Sequence, residues 1–298
     1  METSDRDQRD GNRACLTIVT VVSAVAMAAV VCQHLPMLPK SVLFDWAVPW
    51  FFFASGFWYA QSERSYAEQV SRRVRTLLVP YFLWNAIWFP ILFCAAWLGS
   101  RYFHAPDDIT LEIPCLVRCL GLDPTAWPAL VPTWFLRALF VAVVAIGGLD
   151  ALARRFRAPQ VVRLIVCAAL WASVAAQSHW MPGGAAWRGF FSFGFPLVGC
   201  ACFATGLVLG SRLRLSRPAS SVPWLAVVRR QMTPVYLLHD PVILFVSWIA
   251  RAAGIFGLLA TTGGAVAMWF AGVAGAIAAA RFLRQRCPRL CAVLFGGR

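Results

Sequence analysis

Lysine is almost missing from this chain. Lys40 is the only one, so the 27 basic residues are otherwise arginine, and only 13 acidic residues face them. Charge of any kind is scarce, at 13% of 298 residues, while 60% are hydrophobic and 14% aromatic. Soluble domains carry about 45–50% apolar residues, so the composition points to an integral membrane protein with several spans. A net charge of +14 invites a nucleic-acid partner. Arginines set between apolar runs of span length fit membrane topology better, and no nucleic acid is expected. The sequence has no Cys-x-x-Cys pair. Cys32, Cys94, Cys167, Cys200 and Cys202 lie inside apolar runs and read as small packing residues. Cys115 and Cys119, one helical turn apart in a polar stretch, are left as a pair that geometry permits. His34, His104, His179 and His239 are scattered, with no metal-ligand spacing, so no metal is expected. No internal repeat or low-complexity segment stands out.

What is present is a series of long apolar runs. Eight are candidates for a crossing, which takes about 20 residues: 15–35, 43–60, 77–99, 134–152, 161–179, 190–210, 232–253 and 257–281. Barrel strands would be about ten residues long and alternating. The expected fold is therefore all-α, a polytopic transmembrane helix bundle of eight spans over residues 15–282, with a short tail, 1–14, and a basic tail, 283–298. The first run shows no clear Ala-x-Ala exit and reads as a retained span. Arginine placement orients the bundle. With the amino terminus inside, twenty-one basic residues fall on inner segments. Only Lys40, Arg101, Arg118, Arg188 and Arg251 fall on outer ones, and Arg137 lies within a span. Both termini are expected in the cytoplasm. The stretch 100–133, with Asp107, Asp108, Glu112 and Asp123, is expected outside. It reads as a solvated connector or, given its length, a functional segment.

A few polar residues break the apolar pattern. His34, in "AVVCQHLPML", lies at the outer end of the first span, where an ionisable ring is costly. It reads either as a half-wet interfacial histidine or as a functional base. Asp45 opens the second span at a similar expected depth and reads as a helix cap, as a carboxylate that orients an imidazole, or as both. Arg72 and Arg75 in "SRRVRTLLVPYFLWN" are three apart, so an ideal helix puts them on one face before Pro80 and Tyr81. They read as anchors to anionic lipid or as a bidentate grip on phosphate. The Ser55–Gly56 pair in an aromatic run would allow close approach of a helix or a ligand.

These pieces together resemble the membrane-bound acyltransferase 3 family of bacterial O-acyltransferases. The resemblance rests on His34, "VPWFFFASGF", "RRVRTLLVPYFLWN", "PTWFLRALF" and "TPVYLLHDPV", in the family's order. It implies transfer of an acyl group, most often acetyl, from acyl-CoA to a hydroxyl of a cell-surface carbohydrate or a lipid-linked sugar. Acyl-CoA is then a co-substrate rather than a bound cofactor, and the location is the inner (plasma) membrane. The implied roles are His34 as general base with Asp45 beside it, and Arg72, Arg75, Tyr81 and His239 on the donor side. Ser55, Asn85, Trp134 and Tyr236 would line the substrate path. His239, entering from the inside, is expected lower in the membrane than His34, with packing as its alternative role. Two departures are visible. Many members have an arginine eleven residues before the first-span histidine, and here Ser23 stands there. Members often have ten spans. Two other readings stay open: a non-catalytic relative, and a carrier for a lipid-linked or small polar substrate.

Overall fold

The structure is a computed structural model that describes residues 2–35, 46–97, 117, 130–180, 197–213, 223–259 and 261–297. Among these residues there are helices and no strands. A helix overlies each of the eight expected spans. They are α1 (Glu2–Gln33), α2 (Ala47–Ala60), α4 (Val79–Trp97), α5 (Trp134–Arg155), α6 (Pro159–Trp180), α7 (Leu197–Arg212), α8 (Pro223–Ala252) and α10 (Thr262–Arg286). Between α2 and α4 lie α3 (Tyr66–Arg73) and a π-helical turn, Val74–Leu78. The short α9 (Phe256–Leu259) precedes α10, and α11 (Pro288–Leu294) follows it. Among the described residues, five stretches are long and apolar enough to cross a membrane: Tyr66–Cys94, Trp134–Arg155, Pro159–Ala176, Ala226–Ala252 and Thr262–Arg286. Thr17–Gln33 and Leu197–Arg212 are apolar but shorter. The fold is an all-α polytopic bundle.

Local chemistry explains several boundaries. Ser65 accepts from the Glu68 N–H and Glu68 reaches back to the Ser65 N–H, a reciprocal cap that starts α3. The chain after α1 reads Gln33-His34-Leu35-Pro36. The residue before a proline disfavours helical backbone, so α1 stops there. α8 keeps two internal prolines, Pro234 and Pro241. Each removes one N–H from the helix ladder. The carbonyl that Pro234 leaves free, that of Arg230, accepts from the Arg284 guanidinium of α10 at 3.4 Å.

Packing is closest between α2 and α7. A Cβ on Gly56 would run into the Phe203 carbonyl, and one on Gly206 into the Phe53 carbonyl. The Ser55–Gly56 pair therefore serves helix approach, one of the two uses its sequence allows. α1 touches α2, α8 and α10, and the Trp269 indole of α10 donates to the Ala28 carbonyl of α1 at 3.1 Å. α6 lies at the periphery, with Val161, Leu164, Ile165 and Trp171 exposed as lipid-facing side chains would be.

Part of the expected basic tail is not free. Cys291, Leu294 and Phe295 are buried, and the Trp84 indole of α4 donates to the Leu294 carbonyl at 3.0 Å. Gly296 has a positive φ of 67°, and a Cβ there would strike the backbone of Thr76 in the π-helical turn. The carboxyl-terminal segment thus wedges Cys291, Leu294 and Phe295 into the bundle beside α4.

Candidate active site

α1 ends inside the bundle. The His34 and Leu35 N–H groups close a last tight turn onto Val31 and Cys32, each at 3.2 Å. That turn sets His34 against the middle of α8. His34 Nδ1 lies 3.3 Å from Asp240 Oδ1, with the two side chains 23% and 15% exposed. The His34 ring also meets the His239 ring edge-on, with centroids 4.8 Å apart.

This corrects the expectation that His239 lies lower than His34. The sequence reading started the seventh span at residue 232, which put His239 near one end. α8 starts nine residues earlier, at Pro223, so His239 sits mid-helix. The rest of α8, His239 to Ala252, continues for roughly 20 Å at 1.5 Å per residue. α1 has already stopped at that depth.

His239 is fully buried, and its Nδ1 lies 2.9 Å from the Val235 carbonyl. A carbonyl only accepts, so Nδ1 carries the hydrogen and Nε2 presents a lone pair. That Nε2 is buried and has no hydrogen-bond partner among the described residues. Buried polar atoms are nearly always paired. An unpaired acceptor beside a largely buried imidazole is what a substrate N–H or O–H would complete.

A second helix end reaches the same place. The Tyr236 hydroxyl donates to the Pro132 carbonyl, and its ring lies 5.5 Å from Phe135. Pro132 belongs to the turn that leads into α5. Asn85 of α4 holds that turn from the other side. Its amide donates to the Tyr81 carbonyl at 2.7 Å and to Thr133 Oγ1 at 2.9 Å, while its oxygen accepts from the Leu130 N–H at 3.0 Å. Asn85 and Thr133 are fully buried. Non-helical backbone at membrane depth is tolerated only where it is satisfied by protein or lines a wet cavity, and Asn85 meets that need here. Its polar atoms are engaged in the clasp. Trp134 follows directly and packs beside Phe135, with ring centroids 6.4 Å apart. Ser55 is half-buried on α2, one position from the α2–α7 contact.

A comparison with protein families places the chain. The acyltransferase domain model of the acyltransferase 3 family matches residues 19–295. The chain belongs to this family. No curated protein and no solved structure matches it. Membership makes the chain a multi-pass membrane acyltransferase, and the match runs through the α11 wedge to Phe295.

The family arginine position, Ser23, is filled by packing chemistry. Ser23 is buried, donates to the Val19 carbonyl at 2.7 Å and accepts from the Trp50 indole at 3.0 Å. Asp45 lies outside the described residues, as do His104, Cys115 and Cys119. Arg72 and Arg75 are both exposed. The π-helical turn begins between them, so the shared face of an ideal helix is only approximate. They lie on the same continuous helical stretch as Tyr81 and Asn85. Arg75 is ten residues, roughly 15 Å, before Asn85. Tyr81 is buried, with its hydroxyl against the Arg137 guanidinium of α5.

Sequence reasoning missed two residues at the centre of buried polar clusters. Asp240 is turned about 100° away from its neighbour His239 on the helix, and its partner, His34, is on another helix. Asp150 of α5, 1% exposed, pairs with Arg163 of α6 at 2.5 Å and with Arg154 at 2.9 Å. The signal for the second cluster was available, since Asp150 is the only acid in α5 and Arg154 follows at one-turn spacing.

Proposed function

We propose that this acyltransferase moves an acetyl group from acetyl-CoA to a hydroxyl of a cell-surface carbohydrate or lipid-linked sugar, with His34 as general base. The observation that carries the proposal is the His34–Asp240–His239 cluster set where two helix ends stop within the bundle. In the reaction, His34 Nε2 takes the proton of the acceptor hydroxyl as its oxygen attacks the thioester carbonyl. A C–O bond forms, the C–S bond breaks, and the departing CoA thiolate takes up a proton. The products are the acetyl ester and CoA thiol. A positioned base is worth roughly 10²–10⁴-fold. The lone pair on His239 Nε2 is suited to hold an N–H or O–H of either substrate.

The donor enters from the cytoplasm in this reading. Arg72 and Arg75 are exposed and matched to phosphate by their planar forks. The split of basic residues supports an orientation with both termini inside the plasma membrane and the stretch 100–133 outside. The acceptor then approaches His34 from the opposite face.

Ser23 favours a second reading, a relative that has lost catalysis, because a position used by the family for arginine is given to packing. One experiment separates the two. Native membranes containing the chain are supplied with labelled acetyl-CoA, and the label is followed into surface glycans by mass spectrometry, beside membranes from a deletion strain. Label that depends on the chain supports the enzyme. Equal labelling in both strains, with the protein present and folded, contradicts it.

A further inference from the structure

We infer that Asp240 is the positioning residue for His34, holding its ring in the tautomer that can act as a base. The inference rests on the proposed base role of His34. It goes further in assigning a function to the residue that falls between His239 and Pro241 in "TPVYLLHDPV".

Two properties of the site carry it. The contact is directed: Asp240 Oδ1 lies 3.3 Å from Nδ1 of His34. A carboxylate accepts, so Nδ1 carries the hydrogen and Nε2 is left with the lone pair that proton abstraction needs. The contact is also placed to be strong. Asp240 is 15% exposed and His34 23%, so water competes weakly for either. His239 cannot take over this duty. Its Nδ1 is committed to the Val235 carbonyl at 2.9 Å, and its remaining nitrogen is an acceptor, not a donor, in that tautomer. Tyr236 cannot either, because its hydroxyl is committed to the Pro132 carbonyl.

The helix chemistry around Asp240 fits the same duty. Pro241 follows it directly, so the ladder of α8 loses one N–H at that turn. A carboxylate at such a turn is costly in an apolar bundle unless it has a partner. The partner it has is His34, on a helix that stops just where the two meet.

The test uses the whole protein in native membranes, with release of CoA thiol from acetyl-CoA as the readout. Asp240→Asn is expected to lower kcat roughly 10- to 1000-fold, by analogy with the loss of an imidazole-orienting carboxylate, while KM for acetyl-CoA stays unchanged. Asp240→Glu should recover part of that loss. In a His34→Ala background, adding Asp240→Asn should change the residual rate less than twofold, because Asp240 acts through His34. A readout without turnover accompanies these. In nitrogen NMR of histidine-labelled protein, His34 should be the Nδ1–H tautomer in the unmodified chain and a mixture in Asp240→Ala. An unchanged kcat in Asp240→Asn, with His34→Ala inactive, would overturn the assignment and leave the base reading standing. A full additional loss in the His34→Ala background would also overturn it, by showing an independent role. Full activity in His34→Ala would remove the base reading itself, and this inference with it.

Discussion

Two of the buried clusters that hold ionisable side chains, one around Asp150 and one around His34, are built differently. Around Asp150, every charge has a partner. Its two carboxylate oxygens take Arg163 at 2.5 Å and Arg154 at 2.9 Å. It lies near the end of α5, and through Arg163 it ties α5 to α6. Around His34, the partners run short. His34 has Asp240 on one nitrogen, and His239 has a backbone carbonyl on one nitrogen and, among the described residues, no partner on the other. A satisfied buried cluster needs no further explanation than stability. A buried cluster with an open acceptor has room for one more donor.

Substitutions can break that contrast in order of size. The largest expected effect is on stability at the closed cluster. Asp150→Ala leaves Arg163, 7% exposed, without its carboxylate. Orphaning one member of a buried pair costs about 3–5 kcal/mol. Denaturant unfolding in micelles should show that loss, while the transfer rate per folded molecule is unchanged. A rate that falls with stability intact would move the Asp150 cluster into the catalytic account.

The next effect concerns the exposed arginines. If Arg72 and Arg75 only anchor a helix, exchange for lysine is silent. If they grip phosphate with planar forks, the double exchange Arg72→Lys and Arg75→Lys weakens acetyl-CoA binding by about 1–3 kcal/mol. Arg155→Lys, at another exposed site in an arginine-rich turn, is the control. Equal affinities in both proteins would return the pair to lipid anchoring.

The smallest effect is expected at Ser23. Removing its hydroxyl leaves the Trp50 indole without an acceptor, a loss of about 1 kcal/mol. Transfer should continue at the original rate in Ser23→Ala. A collapse of transfer with normal stability would mean that the hydroxyl has inherited a duty from the family arginine.

Much of the architecture was legible in the sequence because apolar run length has few competing explanations. All eight expected spans carry a helix. Gly56 was legible too, since a glycine in an aromatic run signals a backbone that must come close, and Phe203 is what comes close. The α11 wedge was not legible. Seven residues of mixed character among arginines look like a solvated tail, and only their burial against Trp84 distinguishes them. The site was half legible. His34 could be named because an ionisable ring in an apolar run is conspicuous, and His239 and Tyr236 through the family resemblance. Their meeting could not be, because it depends on where α1 stops relative to α8. Helix ends are set by tertiary packing as well as by local signals. Asp240 was hidden by the same ambiguity.

The central claim is that acyl transfer depends on the imidazole of His34. The most direct measurement is the rate of CoA thiol release per folded molecule in His34→Ala beside the unmodified chain, in the same native membranes, with unfolding measured on both. The account predicts stability close to that of the unmodified chain and a rate lower by roughly 10²–10⁴-fold. A His34→Ala protein that is folded and transfers at more than half the original rate would contradict it.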